Sequence, residues 1–494
     1  MIRGQKDNVT NMKMNRRDFL FKTAGTVAAG TALSGFSIGR TGGSASAAVN
    51  SRPNFVLFYL DDQPYNGMRC TGAPELKTPN MDQLASEGVL FEKSFVTTAI
   101  CCCSRASLYT GQHMRCHGVR DFRTPLTAEQ WKETFPALLR QNGYRTALLG
   151  KYAIGAPISG KVPPMPADEF DLWYGFPQMI EFKQVVAGKE RYLTTVMTEK
   201  ATAFLDEVNP DRPFCLIMAF KEPHGPLNYW DPEFPDPYGD TIFPLPTNLT
   251  TNSFEALPEI VRNGLNNQSN WLGNPKAYQE TMRKLHGYTS RADLAMGQIR
   301  QALKQRGLDK NTVIIHTSDN GSMDGAHGLG GKWLMYEESI RVPLVVMDPR
   351  LPVSVRGRRK QMALNIDLAP TILAMAGIPA SDTMQGMDLQ PMLSDPEAKG
   401  REDWYYEHGY NTSPPRRPIP RCEGVRTDRW KYIRYTDPEP PLEQLFDLDA
   451  DPLEEKDLAG DPIYVDTLLS LRARCGDYRE SLAGGDAAVE PVIQ

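Results

Sequence analysis

The sequence has no surplus of positive charge. Its 494 residues include 55 lysines and arginines against 60 aspartates and glutamates, which gives a formal net charge of −5. Nucleic acids and anionic membrane surfaces are bound through clustered positive charge, so this balance argues against either as a partner. An anionic substrate would need a locally basic pocket. Hydrophobic residues make up 40% and charged residues 23%, as is ordinary for a globular protein.

Cysteine is scarce and lacks the spacing of a metal or redox motif. Only eight of the 494 residues are cysteine. Three are consecutive, Cys101 to Cys103, and none is placed with the C-x-x-C spacing that zinc sites and redox pairs use. This argues against a zinc cluster and leaves open whether any disulfide forms. The triplet therefore needs another explanation.

Long hydrophobic runs are also missing, and no stretch suits a membrane-spanning helix. The weakly apolar segment at about 23–36 is too short and is rich in glycine and alanine. It follows Arg16 and Arg17 and precedes an A-x-A cleavage pattern that ends at Ala47. Residues 1–47 resemble a twin-arginine (Tat) signal peptide, although a chance arginine pair is the alternative. We expect export by the Tat translocase to the periplasm, the cell surface or the medium.

Short apolar runs alternate with helical patterns over most of the chain. The runs at 54–60, 145–150, 214–220, 312–318 and 342–347 are interpreted as buried parallel strands. Amphipathic segments separate them, which is typical of an α/β fold with a mostly parallel sheet flanked by helices. From about residue 400 the pattern changes to short aromatic and charged strands, followed by a helix near 462–474. We predict an α/β domain over residues 48–395 and a smaller antiparallel α+β subdomain over residues 396–494.

Charged and polar side chains follow the predicted strands at their carboxyl ends. Ligands bind beyond these ends in open α/β sheets, so residues that follow different strands are expected to meet there. The residues are Asp61, Asp62, Lys151, His224, Asp319 and Asn320, with Lys332 further along the last loop.

This set combines hard oxygen ligands with cations. Carboxylate and amide oxygens suit Ca²⁺ or Mg²⁺ better than zinc, and Ca²⁺ is favoured because it accepts more oxygens at looser geometry. The lysines and His224 suit a tetrahedral oxyanion that bridges to such an ion, so the implied substrate is a sulfate or phosphate ester. Arg105 and the helix start at 104–108 add further anion-holding groups.

Several of these segments occur in the order found in one enzyme family. They are D-D-Q at 61–63, C-x-x-S-R-A-S-L-x-T-G at 101–111, G-K-Y at 150–152, F-K-E-P-H-G-P at 220–226 and T-S-D-N-G at 317–321. Together with segments in the C-terminal part, they resemble the formylglycine-dependent sulfatases, in particular those that act on carbohydrates, over essentially all of residues 52–460. The resemblance implies an alkaline-phosphatase-like fold and hydrolysis of sulfate monoesters.

The resemblance also implies roles for individual residues. Cys101 would be oxidised to formylglycine by a maturation enzyme, and the hydrated aldehyde would attack sulfur beside Ca²⁺. His224 would protonate the leaving alcohol with help from Lys332. The implied metal ligands are Asp61, Asp62, the modified Cys101, Asp319 and Asn320. The implied sulfate-binding residues are Lys151, His224 and Lys332.

Two positions depart from the family pattern. Cys103 stands where the maturation motif usually has proline or alanine, and Ala153 stands where many sulfatases have a histidine that acts on the hydrate. We predict that His117 replaces that histidine, with His113 as a weaker candidate. His327 and His408 are predicted to contact the substrate. The alternative is structural packing for His327 and a loop position at the domain junction for His408.

Two other functions fit the same residues. A phosphonate monoester or phosphodiester hydrolase would use the same nucleophile, and an unmatured calcium-dependent protein would bind sulfated glycans without cleaving them. A phosphatase with a hydroxyl nucleophile is disfavoured because position 101 is neither serine nor threonine. A carbohydrate sulfatase leads, because export and a long loop-rich segment at 225–275 favour a large extracellular substrate.

Overall fold

The computed structural model describes residues 52–155, 165–177, 180–209, 211–412 and 416–482. The predicted signal peptide, residues 1–47, lies outside these ranges and stays a prediction. Within them, no helix has both the length and the apolar character needed to cross a membrane.

The strands of the described residues are, in chain order, β1 (Asn54–Asp61), β2 (Val89–Phe95), β3 (Arg145–Lys151), β4 (Leu172–Phe176), β5 (Lys183–Val186), β6 (Lys189–Tyr192), β7 (Phe214–Pro223), β8 (Thr312–Ser318), β9 (Leu344–Met347), β10 (Gly357–Leu364), β11 (Asp403–His408), β12 (Cys422–Thr427), β13 (Trp430–Tyr435) and β14 (Leu442–Asp447). The α-helices are α1 (Pro79–Glu87), α2 (Cys101–Thr110), α3 (Met114–His117), α4 (Ala128–Lys132), α5 (Phe135–Gln141), α6 (Leu193–Asp206), α7 (Thr251–Glu255), α8 (Glu259–Arg262), α9 (Pro275–Gln305), α10 (Glu337–Ile340), α11 (Leu368–Met375), α12 (Gln390–Ser394) and α13 (Val465–Ser481).

Eight strands form one mixed, mostly parallel sheet in the spatial order β10-β2-β9-β8-β1-β7-β3-β4. Strand β1 pairs in parallel with both β7 and β8, and β3 pairs in parallel with β7 and β4. The predicted α/β fold with a mostly parallel sheet is confirmed. The exception is β9, which runs antiparallel to β8 and to β2.

The prediction that the run at 342–347 is a parallel strand is therefore wrong. The chain leaves β8 at Ser318, forms the loop 319–343 at that edge of the sheet, and enters β9 from the same edge. A strand entered from the edge that the preceding strand has left must run in the opposite direction. An apolar run indicates burial but carries no information about direction.

Side chains of β1 alternate between two hydrophobic cores, one on each face of the sheet. Phe55 and Leu57 join the core that contains residues of α2, α5 and α11. Val56 and Phe58 join the core that contains residues of α1, α6 and α9. Because neighbouring residues of a strand point to opposite faces, a strand covered on both faces is apolar throughout. This accounts for the uninterrupted run N-F-V-L-F-Y-L.

The C-terminal part forms a second, antiparallel sheet in the order β11-β12-β13-β14. Residues of α13 pack in one core with this sheet. Other residues of the sheet share a core with the main sheet, where Trp404 stacks on Phe95 of β2 with ring centroids 5.1 Å apart. The predicted antiparallel α+β arrangement is confirmed, while the boundary between residues 395 and 396 stays a prediction.

The carboxyl ends of the parallel strands lie at one edge of the main sheet, here called the carboxyl edge. Strands β1, β3, β7 and β8 end there, followed by polar residues. Strand β2 also ends there, since it is antiparallel to the reversed strand β9. Residues 96–100 then lead directly to Cys101, the first residue of α2. The fold thus delivers Cys101 to the same edge as the aspartates.

Gly150 allows β3 to approach β7 closely, one residue before Lys151. Its φ is +108°, and a Cβ at this position would lie 1.9 Å from the carbonyl oxygen of Ala219. Both the backbone conformation and the available space therefore require glycine.

We expect Gly150→Ala to destabilise the fold by about 1–3 kcal/mol through overpacking, in addition to the cost of the positive φ. Gly72→Ala is the matched control, because Gly72 has a φ of +119° but nothing lies within 4 Å of the added Cβ. Thermal unfolding should give Gly150→Ala a clearly lower Tm than Gly72→Ala. Equal Tm values would contradict the close approach of the two strands.

Candidate active site

The residues that follow β1 lie beside those that follow β8. In this parallel pair Leu60 is opposite Ser318, so both chains leave the sheet side by side. The backbone N–H of Asp62 donates to Asp319 Oδ1 at 3.2 Å, and Asn320 Nδ2 donates to Asp62 Oδ1 at 2.6 Å. Asp62 has a left-handed φ of 73°, which is uncommon for a residue other than glycine and marks a sharp turn.

Cys101 is buried at the start of α2, in contact with a lysine. Lys332 Nζ donates to Cys101 Sγ at 2.7 Å and also forms an ion pair with Asp62. Burial raises the pKa of the Cys101 thiol above its ordinary value. An unmodified Cys101 is therefore protonated at neutral pH.

Two buried lysines pair with the two aspartates that end β1. Lys151 Nζ lies 2.5 Å from Asp61 Oδ2, and Lys332 pairs with Asp62. Burial raises the pKa of Asp61, but the positive charges of Lys151, Arg105 and Lys332 outweigh burial and hold it well below its ordinary value. Burial lowers the pKa of Lys332, but the negative charges of Asp62 and Asp61 raise it well above its ordinary value. Asp61 and Lys332 are therefore both charged at neutral pH.

Arg105 lies one turn into α2 and is fully buried. Its Nε and Nη2 lie 2.9 Å and 2.8 Å from Asp319 Oδ2, and its Nη1 donates to the backbone carbonyl of Lys151 at 2.5 Å. The guanidinium also lies over the ring of Tyr59, 4.7 Å from the centroid. The sequence predicts that Arg105 holds an anion. In the structure Arg105 contacts Asp319 and the backbone of Lys151, and its role in holding an anion stays a prediction.

His224 follows the last residue of β7 and points one ring nitrogen at the aspartates. Nδ1 lies 2.7 Å from the carbonyl oxygen of Gly225, and since a carbonyl only accepts, Nδ1 carries the proton. Nε2 lies 3.6 Å from Asp62 Oδ2. Burial lowers the pKa of His224, and the negative charges of Asp62 and Asp61 offset this only in part. The neutral ring therefore presents an unprotonated Nε2 to the site.

The arrangement fits a divalent cation. The ligand atoms of Asp61, Asp62, Cys101 and His224 all lie within 4.8 Å of one another. Two buried oxygens, Asp61 Oδ1 and Asn320 Oδ1, have no hydrogen-bond partner among the described residues. A buried polar atom is costly unless a partner satisfies it, and carboxylate and amide oxygens are the ligands that hard cations prefer. The donor set therefore suits Ca²⁺ or Mg²⁺.

The structure does not bring His117 to this cluster. His117 Nε2 lies 3.0 Å from Ser107 Oγ, and His117 Nδ1 accepts from the backbone N–H of Val119 at 3.0 Å. Burial lowers the pKa of His117 to about 3. Both ring nitrogens are engaged by neighbouring residues rather than by Cys101, so the structure gives no support to His117 as the base. Ala153, at the position where many sulfatases have a histidine that acts on the hydrate, is buried and has a φ of 64°.

The two histidines predicted to contact the substrate lie in other surroundings. His327 is buried against the ring of Tyr336, with ring centroids 5.0 Å apart, which agrees with the packing alternative. His408 is buried at the end of β11 and lines a cavity of about 170 Å³ together with Arg115 and Arg421. Contact of either histidine with the substrate stays a prediction.

Sequence reasoning missed side chains that hold the loops of the site. Asn266, from the segment 225–275, donates to the backbone carbonyls of Gly330 and Lys332 at 2.7 Å each. Asn365, which follows β10, donates to Ser104 Oγ at 3.0 Å. Both asparagines are buried, Asn266 in a turn and Asn365 at the start of a short 3₁₀ helix. The partners of Asn266 are 64 and 66 residues away, and the partner of Asn365 is 261 residues away. No local pattern indicates such contacts.

Comparison with known proteins identifies the family. The model of the sulfatase family matches residues 53–378, and that of the C-terminal part of N-sulphoglucosamine sulphohydrolase matches residues 325–481. The N-acetylglucosamine-6-O-sulfatase of Bacteroides thetaiotaomicron is 28% identical over 484 residues, covering 84% of each chain. The N-acetylglucosamine-6-sulfatase of Homo sapiens is 31% identical over 378 residues, covering 70% of this chain and 65% of that protein.

Solved structures agree with this assignment. A protein solved in complex with its substrate, D-glucosamine-2-N,6-O-disulfate, has a TM-score of 0.76 at 26% identity, covering 89% of this chain and 100% of that chain. The phosphonate monoester hydrolase of Agrobacterium radiobacter has a TM-score of 0.72 at 22% identity, covering 87% and 96%, and shows the fold alone. Because the sulfatase model spans more than half of the chain and the site carries the expected residues, this protein belongs to the sulfatase family of hydrolases.

Proposed function

We propose that this enzyme hydrolyses sulfate monoesters on carbohydrates, using a formylglycine formed from Cys101 and a calcium ion. Asp61, Asp62, Asp319 and Asn320 would supply the oxygen ligands. The observation that carries the proposal is the position of Cys101 Sγ, which lies within 4.8 Å of the ligand atoms of two aspartates and 2.7 Å from Lys332 Nζ. The nucleophile position, the hard ligands and a buried cation meet at one point.

An unmodified thiol would serve poorly at this position. Burial raises the pKa of Cys101, and a protonated thiol is a weak nucleophile. Hydrated formylglycine supplies an oxygen nucleophile instead, and Ca²⁺ supplies positive charge that favours its ionisation. The burial of Cys101 therefore supports a modified rather than a free cysteine.

The protein's own cations would bind the sulfate group. Lys151 and Lys332 are buried at the aspartates, where a fixed positive charge stabilises the charge that develops on sulfate oxygens in the transition state. An anion beside His224 raises the pKa of that ring, so Nε2 would take up a proton and donate it to the leaving alcohol. The hydrogen bond from His224 Nδ1 to Gly225 keeps the ring in place for this transfer.

We propose a 6-sulfated glucosamine residue as the substrate to test first. Two N-acetylglucosamine-6-sulfatases are similar to most of this chain. The similar protein solved with its substrate holds a glucosamine sulfated at the nitrogen and at O6. The matches to these relatives cover most of this chain, so the same sugar class is the natural first candidate.

Maturation would have to precede folding. All 10 residues of α2 are buried, including Cys101. A maturation enzyme would therefore reach Cys101 only in an unfolded or locally opened chain. The Tat route exports folded proteins, so we propose that formylglycine forms before the chain leaves its compartment of synthesis.

We expect peptide mass analysis of protein from a host with the maturation enzyme to show formylglycine at position 101. The matured protein should release sulfate from N-acetylglucosamine-6-sulfate. Cys101→Ala should lower this activity by about 10³-fold or more, because the nucleophile is lost. Cys102→Ala is the matched control, since Cys102 is equally buried in α2 but has no predicted role, and it should remain active.

Three results would contradict this proposal. An unmodified Cys101 in active protein would contradict the proposed nucleophile. An unmodified Cys101 in protein that binds sulfated glycans without cleaving them would favour a calcium-dependent binding protein. Faster hydrolysis of phosphonate monoesters or phosphodiesters than of any sulfated sugar would favour the alternative hydrolase.

We expect chelator-treated protein to bind one Ca²⁺ and to gain stability on binding, by about 2.7 kcal/mol when free Ca²⁺ is 100 times its Kd. Asp61→Asn should weaken this binding by roughly tenfold or more, because one charged ligand is removed. Isothermal titration calorimetry and the shift in Tm measure both effects.

Asp348→Asn is the control for the calcium measurement. Asp348 is also a buried carboxylate directly after a strand, but it follows the reversed strand β9 and therefore lies at the opposite edge of the sheet, paired with Arg350. Its substitution should leave Ca²⁺ affinity unchanged. Equal affinities of Asp61→Asn and the wild type would rule out the assigned ligand set.

A further inference from the structure

Lys332 lies in a segment without regular secondary structure. Residues 331–336 form neither helix nor strand, so no backbone ladder fixes the position of Lys332. Trp333, the next residue, has a left-handed φ of 81°. A residue other than glycine keeps such a conformation only when surrounding contacts hold it. The contacts of this segment therefore determine where Lys332 Nζ is placed.

The side chain of Tyr406 connects this segment to the loop before Cys101. Tyr406 belongs to β11 of the C-terminal sheet and is 0% exposed. Its hydroxyl donates to the backbone carbonyl of Trp333 at 2.6 Å and accepts from the backbone N–H of Ala99 at 3.2 Å. Trp333 is adjacent to Lys332, and Ala99 lies two residues before Cys101. One phenol oxygen thus joins the two segments that present the lysine and the nucleophile.

The C-terminal sheet also holds the far end of the same segment. A Cβ at Gly424 would lie 2.5 Å from Met335 Sδ, so Met335 packs directly on β12. The backbone N–H of Glu337 donates to Glu454 Oε2 at 2.7 Å, and the Glu337 carboxylate pairs with Lys431 at 2.9 Å. These contacts anchor the segment beyond Lys332. Tyr406 acts next to Lys332 itself.

We propose that Tyr406 is a positioning residue that sets the distance between Lys332 Nζ and the nucleophile at position 101. It acts through the backbone of Trp333 and Ala99 and is not itself catalytic. The inference rests on the proposed function, in which Lys332 binds the sulfate and assists proton transfer to the leaving alcohol. Tyr406→Phe keeps the ring but leaves the Trp333 carbonyl and the buried Ala99 N–H without this partner. The direct link between the two segments is then lost, while Asn266 still holds the backbone carbonyl of Lys332.

The test compares Tyr406→Phe with Tyr435→Phe in matured, calcium-loaded enzyme. Tyr435 is also 0% exposed and packs in the same hydrophobic core. Its hydroxyl hydrogen-bonds to Gln444 Oε1 at 3.0 Å rather than to Ala99 or Trp333. The control therefore removes buried hydroxyl contacts from this core, including one to Tyr336 at the far end of the Lys332 segment, but leaves the link between Trp333 and Ala99 in place. Rates are divided by the fraction of formylglycine found by peptide mass analysis.

Two substrates distinguish positioning of Lys332 from a general loss of stability. The sugar leaves as an alcohol only when its oxygen receives a proton, whereas nitrophenolate leaves without one. We expect Tyr406→Phe to lower kcat on N-acetylglucosamine-6-sulfate by about 10–100-fold, as misplaced catalytic groups do. The loss on 4-nitrophenyl sulfate should be clearly smaller. Tyr435→Phe should have kcat close to wild type on both substrates, even if its Tm falls as far.

Several outcomes would overturn the inference. Equal losses on the two substrates would mean that Tyr406 does not act through proton transfer by Lys332. A Tyr406→Phe enzyme as active as Tyr435→Phe on the sugar sulfate would mean that Tyr406 positions nothing. A wild type that hydrolyses neither ester would overturn the proposed function together with this inference, whereas the first two outcomes occur with an active wild type and overturn the inference alone.

Discussion

The site depends on the pairing of three carboxylates, two of them buried and one partly exposed, with three buried cations. The pairs are Asp61 with Lys151, Asp62 with Lys332, and Asp319 with Arg105. An unpaired charge in such a place costs several kcal/mol, so each carboxylate is tolerated only with its partner close by. The fold must therefore deliver all six side chains to one point. Removing any one of them leaves a buried charge as well as a missing function.

Parallel strands and the reversed strand β9 bring these six side chains together. Strands β1, β3 and β8 end at the carboxyl edge and present Asp61, Lys151 and Asp319 there. Strand β9 runs back from the same edge, so the loop that carries Lys332 begins and ends beside the site. Strand β2 runs toward this edge and feeds α2, which supplies Cys101 and Arg105 on successive turns. Asn266 and, from the C-terminal sheet, Tyr406 then hold the part of this loop around Lys332.

Much of this could be predicted from the sequence, for a physical reason. Strands buried on both faces are continuous apolar runs, and residues that follow parallel strands converge at one edge of the sheet. The sequence therefore predicts that five residues lie close together: Asp61, Asp62, Lys151, His224 and Asp319. The direction of β9 could not be predicted, because a run of four apolar residues is the same in either direction.

The surroundings of His117 and His327 could not be predicted either. The residue type alone does not show whether a histidine faces a ligand or, like His327, packs on a ring such as that of Tyr336. Contacts made by Asn266 and Tyr406 span 64 to 307 residues and correspond to no local sequence pattern.

The complete burial of α2 also bears on how enzymes with this fold can diverge. A substitution in any of its 10 buried residues alters core packing as well as chemistry, and loses stability before it gains a new preference. The segment 225–275 carries exposed side chains such as Ile242 and Leu245, which can change at little cost. Evolution toward a different substrate is therefore expected to proceed through the segment 225–275, while the helix that bears Cys101 stays nearly constant.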